Sequence, residues 1–154
     1  MIGVGDMTFK AKFFDELTPA ELYEILRSRS EIFMLEQDIR CQDMDGVDYQ
    51  SRHCFLEQDG RVVGYLRAFY TDEERTTVQI GRALSLVHHR GIGRLLMQKS
   101  IEDIAYNLPC RKLTLHSQKH AEGFYQKCGF HTVSDEFLEA GVVHVTMERE
   151  ICKK

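Results

Sequence analysis

Two glycines one residue apart and two arginines fall inside Val87–Leu96, VHHRGIGRLL, between an alternating run and a helix-periodic run. A strand, a glycine turn and a helix start together offer phosphate oxygens several unpaired backbone N–H groups at the favourable end of the helix dipole. Gly91 and Gly93 let the backbone come close to a ligand. Arg90 and Arg94 add charge for a polyanion. No Gly-Lys-Ser/Thr follows, which excludes a Walker loop, and only two of the three glycines of a dinucleotide fingerprint are present. Alone, the segment serves equally well as a turn before a helix. His88-His89 and His53-Cys54 are neighbours whose side chains point to opposite faces of an extended chain, so no shared metal is expected.

The elements that must position these residues follow from periodicity. Thr8–Phe14 alternates and reads as a strand. Thr18, Pro19 and Glu21 form a capping box with proline at the first helical position. Leu22, Ile25, Leu26, Arg29, Ile32 and Phe33 then fall on one helix face, with Arg29 the single polar interruption of the stripe. EQDIRCQDMDGVDYQSR reads as a polar loop. Asp59-Gly60 between two alternating runs signals a hairpin. TTVQIGRALSLV follows as a strand with Val78, Ile80, Leu84 and Leu86 on one side. Arg82 shares their parity, so the strand bulges there or Arg82 lines a cleft. Met97, Ile101, Ile104, Ala105 and Leu108 mark a second helix ended by Pro109. KLTLHS is a short strand, and AEGFYQKCGF a short helix capped by Gly129. Two last strands turn at Ala140-Gly141. The order implies one α/β domain, a mixed sheet with helices on both faces.

A second motif downstream gives the glycine segment its meaning. QKHAEGFYQKCGF places Gln118, Ala121, Tyr125, Gly129 and Phe130 on the positions of a pattern, N-x-x-A-x-x-x-Y-x-x-x-G-F, that comes after the next strand in the GNAT N-acetyltransferases. The glycine segment resembles the R-G-x-G loop of that family; anchored on Gly93, the first position of the family's loop pattern is His88. RSEIFMLEQDIRCQDMDGVD, His53, YLRAFY, IGRALS and EAGVVHVTME are similar to the ElaA-like branch. The resemblance spans residues 17–149 and implies a single-domain, mostly antiparallel twisted sheet with helices on both faces.

The resemblance further implies transfer of an acetyl group from acetyl-CoA to a primary amine by direct attack on the thioester. A backbone N–H near Leu86 or Val87 would receive the carbonyl oxygen. Arg90, Gly91, Ile92, Gly93 and Arg94 would hold the pyrophosphate, with Gln118 and Phe124 also on the cofactor side. Tyr125 would give a proton or hydrogen bond to the leaving thiolate. His53, Glu36, His116 and His144 are candidate bases for the amine. His53 is placed at the reaction centre, and Glu36, Arg82, His116 and His144 on the acceptor side. The alternatives are a non-catalytic CoA- or nucleotide-binding module and an interaction domain that has lost CoA binding.

Composition bounds the remaining classes. The chain has 154 residues with 43% hydrophobic and 29% charged residues, as in a folded single domain; residues 1–7 are expected to be a flexible end. A net charge of −4 does not favour nucleic acid. Five cysteines without CxxC spacing imply free, buried or half-buried thiols in a reducing cytoplasm. No apolar run is long enough to span a membrane. The acidic loop 36–48 is compatible with a cationic amine acceptor. The last strand, GVVHVTME, is a candidate edge for pairing two copies into a homodimer.

Overall fold

A computed structural model describes residues 6–86 and 91–151. Its core is one twisted sheet. The strands are β1 (Thr8–Phe13), β2 (Arg52–Gln58), β3 (Arg61–Tyr70), β4 (Thr77–Ser85), β5 (Lys112–Gln118), β6 (His131–Thr132), β7 (Phe137–Glu139) and β8 (Val142–Glu150). They run in the order β1-β2-β3-β4-β5-β8-β6, with β7 also on β8. Every pair is antiparallel except β4–β5. That parallel pair requires a crossover, which α2 (Ile92–Asn107) supplies.

The helices divide between the faces. α2 covers one face, where Ile92, Leu96, Met97 and Ile104 join Val78, Ile80, Leu113, Leu115 and Met147 in the larger core. The short α3 (Glu122–Lys127) adds Tyr125 to its margin. α1 (Pro19–Arg29) covers the other face, where Ile25 and Ile32 meet Phe55, Val62, Tyr65 and Leu84. α1 then widens into a π-helical segment, Ser30–Glu36. The mixed sheet with helices on both faces is the expected architecture.

The start of α1 follows its sequence signal. Thr18 accepts from the Glu21 amide at 3.1 Å, and the Glu21 carboxylate accepts from the Thr18 amide at 2.8 Å. Glu21 also receives Lys10 and Lys12 from β1 at 2.9 and 3.0 Å. Burial pushes its pKa up, but the Thr18 amide and the two ammonium groups prevail and hold it at about 2. A carboxylate with a depressed folded-state pKa stabilises above its unfolded value near 4.5 and loses that contribution as pH falls toward 2. Glu21→Gln should therefore cost about 2–3 kcal/mol at pH 7, a difference that shrinks below pH 4.5 and vanishes near pH 2 in urea titrations. A cost independent of pH would contradict the ion-pair account.

Two expectations are corrected. Val78, Ile80, Leu84 and Leu86 do not share one side. Tyr65 pairs with Leu84 and Arg67 with Gly81, so β4 carries one extra residue across this step. Arg82 takes φ 51°, and the bulge re-phases the strand. Val78 and Ile80 face α2, whereas Leu84 faces α1. The last strand is not an edge either. β5 pairs one side of β8, and β6 and β7 the other. Between them Val133 N–H donates to Thr146 O at 2.9 Å and Thr146 N–H donates to Ser134 Oγ at 2.8 Å. Among the described residues the outer side of β8 is thus covered from Val142 to Glu148, and the strand is not the edge of the sheet.

Candidate active site

The parallel pairing of β4 with β5 ends at Ile80–Leu115, although β4 continues to Ser85 and β5 to Gln118. No ladder joins their facing edges beyond that point among the described residues. The bulge at Arg82 begins where pairing stops. The result is a gap through the sheet, with α2 and α3 on one face and the α1–π segment on the other.

The N-terminus of α2 stands at the head of this gap. Gly91 is its cap at φ 70°, a left-handed backbone that favours glycine, and no side chain among the described residues caps the helix. The Gly91 carbonyl accepts from Leu95 N–H, so the first-turn amides of Ile92, Gly93 and Arg94 precede the helix ladder. No acidic residue lies in this turn to compete with an anion. Gly93 has a packing reason as well: a Cβ there would lie 3.3 Å from Phe124 Cζ. Ile92 is buried in the core, whereas Arg94 is exposed. Val87 and Arg90 lie outside the described residues, as do His88 and His89.

Tyr125 is seated beside that turn. Phe124 contacts Gly93, and Tyr125 packs edge-on against Phe124 and Phe130. Burial pushes the phenol up to about 12, so it carries its proton across the physiological range. Its hydroxyl makes no hydrogen bond within the described residues. The Leu86 N–H donates to Val63 O at 2.8 Å, so this amide is already occupied and the oxyanion role assigned to Leu86 or Val87 does not fall to Leu86. Gln118 Nε2 donates to Gln37 Oε1 at 3.0 Å, bridging the gap on the α1 face instead of turning to the cofactor side.

His53 is 1% exposed and both ring nitrogens are engaged. The Asp48 carbonyl, 2.9 Å from Nε2, can only accept, which puts the proton on Nε2. Nδ1 then accepts from the Tyr65 hydroxyl at 2.7 Å. Burial lowers the His53 pKa and keeps the ring neutral. No lone pair remains for an incoming amine, so the structure does not bring His53 to the gap as a base. Glu36 is exposed at the end of the π segment.

Arg82 is likewise turned away from a ligand. Its Nε donates to Asp43 Oδ1 at 2.8 Å and its Nη2 to the Asp43 carbonyl at 3.0 Å. Arg67 takes Asp45 with two nitrogens at 2.8 and 2.7 Å, and Asp48 at 3.1 Å. Arg29, fully buried, takes Asp48 at 2.7 Å and Asp43 at 2.9 Å. Three arginines from α1, β3 and β4 thus neutralise three carboxylates of one loop. Burial raises the Asp48 pKa, yet Arg29 and Arg67 outweigh it and depress it; Arg67 depresses that of Asp45. The acidic loop is therefore a structural clamp, and Asp43, Asp45 and Asp48 are not free to attract a cationic acceptor. The arginine that interrupts the α1 stripe and the one on the apolar parity of β4 were its signals in the sequence.

His116 and His144 do come together, through a residue the sequence did not single out. His116 Nδ1 donates to Glu139 Oε1 at 2.8 Å, and His144 Nε2 lies 3.6 Å from Glu139 Oε2. Phe137 stacks on His144 and meets His116 edge-on. Counting outward from the Ala140-Gly141 turn places Phe137 opposite His144 and Glu139 on the same side, which is how Glu139 could have been found.

Cys54 and Cys110 are buried, Cys128 half-buried and Cys41 exposed, all as free thiols; Cys152 lies outside the described residues. The exposed Cys41 differs from the expected burial because it sits on the loop before the aspartate clamp. No helix among the described residues is long and apolar enough to cross a membrane.

Known proteins share this arrangement. The chain is 34% identical over 140 residues to protein ElaA of Escherichia coli K12, covering 88% of this chain and 92% of that protein. The crystal structure of Escherichia coli ElaA superposes with a TM-score of 0.87 at 30% identity, over 94% of this chain and 99% of the other. An acyl-CoA N-acyltransferase from Pseudomonas aeruginosa superposes with a TM-score of 0.85 at 29% identity, over 93% and 99% of the two chains. The family model of the acetyltransferase (GNAT) domain matches residues 13–151. With the split parallel pair and the uncapped helix beside it, these matches establish that the chain belongs to the GNAT acetyltransferase family.

Proposed function

We propose that the chain transfers an acetyl group from acetyl-CoA to a primary amine without a covalent enzyme intermediate. The observation that carries this is the gap between β4 and β5 with the uncapped first turn of α2 at its head. Such a turn suits the pyrophosphate of a nucleotide, and Arg94 adds a charge-assisted donor. When bound, acetyl-CoA supplies an activated thioester carbonyl. Tyr125, protonated and beside α2, is the donor to the departing sulfur. With the Leu86 amide engaged, the amide that receives the carbonyl oxygen is assigned to Val87, outside the described residues.

Calorimetric titration with acetyl-CoA tests the binding half. Binding at micromolar concentration is expected, and 100-fold excess over Kd should stabilise the fold by about 2.7 kcal/mol. CoA release measured with spermidine and with a lysine-containing peptide tests the transfer half. Absence of any heat or melting shift at millimolar acetyl-CoA would remove the proposal.

A further inference from the structure

A carboxylate–imidazole cluster stands on the sheet face opposite Tyr125, beside the point where β5 leaves β4. His116 is the first residue of β5 after its pairing with β4 ends. Strand alternation turns Leu115 into the α2-side core and His116 to the α1 side. There it is partly open to solvent, with 35% of its side chain exposed. A carboxylate only accepts hydrogen bonds, so the 2.8 Å contact with Glu139 fixes the His116 proton on Nδ1 and leaves Nε2 with a lone pair. His144 donates from Nδ1 to the Val142 carbonyl at 2.7 Å and is 8% exposed. With Phe137 stacked on it, its ring lines the far side of Glu139, with Nε2 3.6 Å from Oε2.

We propose that His116 Nε2, oriented by Glu139, is the base that takes the proton of the acceptor amine across the gap from Tyr125; this rests on the acetyl transfer proposed above. Of the other imidazoles, His53 has both nitrogens engaged inside the core, and His144 is 8% exposed with its Nδ1–H given to the Val142 carbonyl. In the step, the electron pair of the amine nitrogen forms a bond to the acetyl carbon. The carbon–sulfur bond breaks and its pair leaves on sulfur. One proton passes from nitrogen to His116, and one passes from the Tyr125 hydroxyl to sulfur. Exchange with water resets both groups, so the net products are an N-acetyl amine and CoA. Glu139 is the positioning residue.

Two measurements decide it. Ring-nitrogen NMR of the ligand-free chain should show His116 as the Nδ1–H tautomer, and Glu139→Gln should weaken that preference. A proton resident on Nε2 of neutral His116 overturns the proposal whatever the acceptor. In CoA-release assays with spermidine or a lysine-containing peptide, His116→Gln and His116→Ala should lower kcat about 100-fold, with KM for acetyl-CoA unchanged. Added imidazole should partly restore His116→Ala, and Glu139→Gln should lose about 10-fold. Melting curves and acetyl-CoA titration confirm that each variant is folded. Turnover that is indifferent to His116 sinks the base alone. Acetyl-CoA bound without turnover of any tested amine by the unaltered chain sinks the base and the transfer together, and no binding at all sinks the proposed function at its root.

Discussion

Arg29→Ala should destabilise the chain by about 3–5 kcal/mol, the largest effect expected of a single substitution outside the apolar core. Arg29 is fully buried and holds Asp48 and Asp43 at 2.7 and 2.9 Å. Its removal leaves two carboxylates in a desolvated loop with one guanidinium fewer between them, and opens a cavity under α1. For a domain of this size that corresponds to a fall in melting temperature of about 6–20 °C. Arg82→Met is the control. Its side chain is 27% exposed, and Asp43 and Asp45 each retain another arginine, so about 1 kcal/mol or less is expected. Equal losses in the two variants, read from urea midpoints, would show that burial does not govern the clamp.

Tyr125→Phe should lower kcat for CoA release by about 100-fold while KM for acetyl-CoA changes little. The substitution keeps the ring that packs against Phe124 and Phe130 and removes only the hydroxyl. With the phenol pushed up to about 12, the acid form persists through neutral and mildly alkaline pH. Hence its ionisation should cause no fall in the wild-type rate below about pH 11. An unchanged rate in the variant would remove Tyr125 from the reaction. A loss confined to KM would recast it as part of the binding surface.

Local signals in the sequence located most of the fold. The capping box at Thr18–Glu21 starts α1 as expected, and Asp59-Gly60 and Ala140-Gly141 form their hairpin turns with positive φ at both positions. These features depend on a few adjacent residues, which is why they can be read without a structure. The bulge at Arg82 was legible only as a choice, because period-two alternation assumes an uninterrupted strand. The central place of β8 was hidden, since alternation reports the face of a strand and not its neighbours. At the site, Tyr125 and the helix start followed from motif spacing. The fate of the charged residues did not. Whether His53 is a base or a buried link, and whether the loop acids attract a ligand or satisfy arginines, depends on partners 5 to 39 residues away.

The position of β8 has a consequence for how the chain is made. The last strand among the described residues lies between β5 and the short β6 and β7, well inside the sheet. During synthesis β5 emerges with its parallel partner β4 already available, but its other edge stays open until residues 142–150 leave the ribosome. Loss of those residues at any stage would expose β5 along its length and strand β6 and β7 without a partner. An open apolar edge is a template for pairing with other chains. Emergence of β8 is thus the step that covers the open edge of β5, and truncations before Val142 should appear in cells as insoluble or degraded protein.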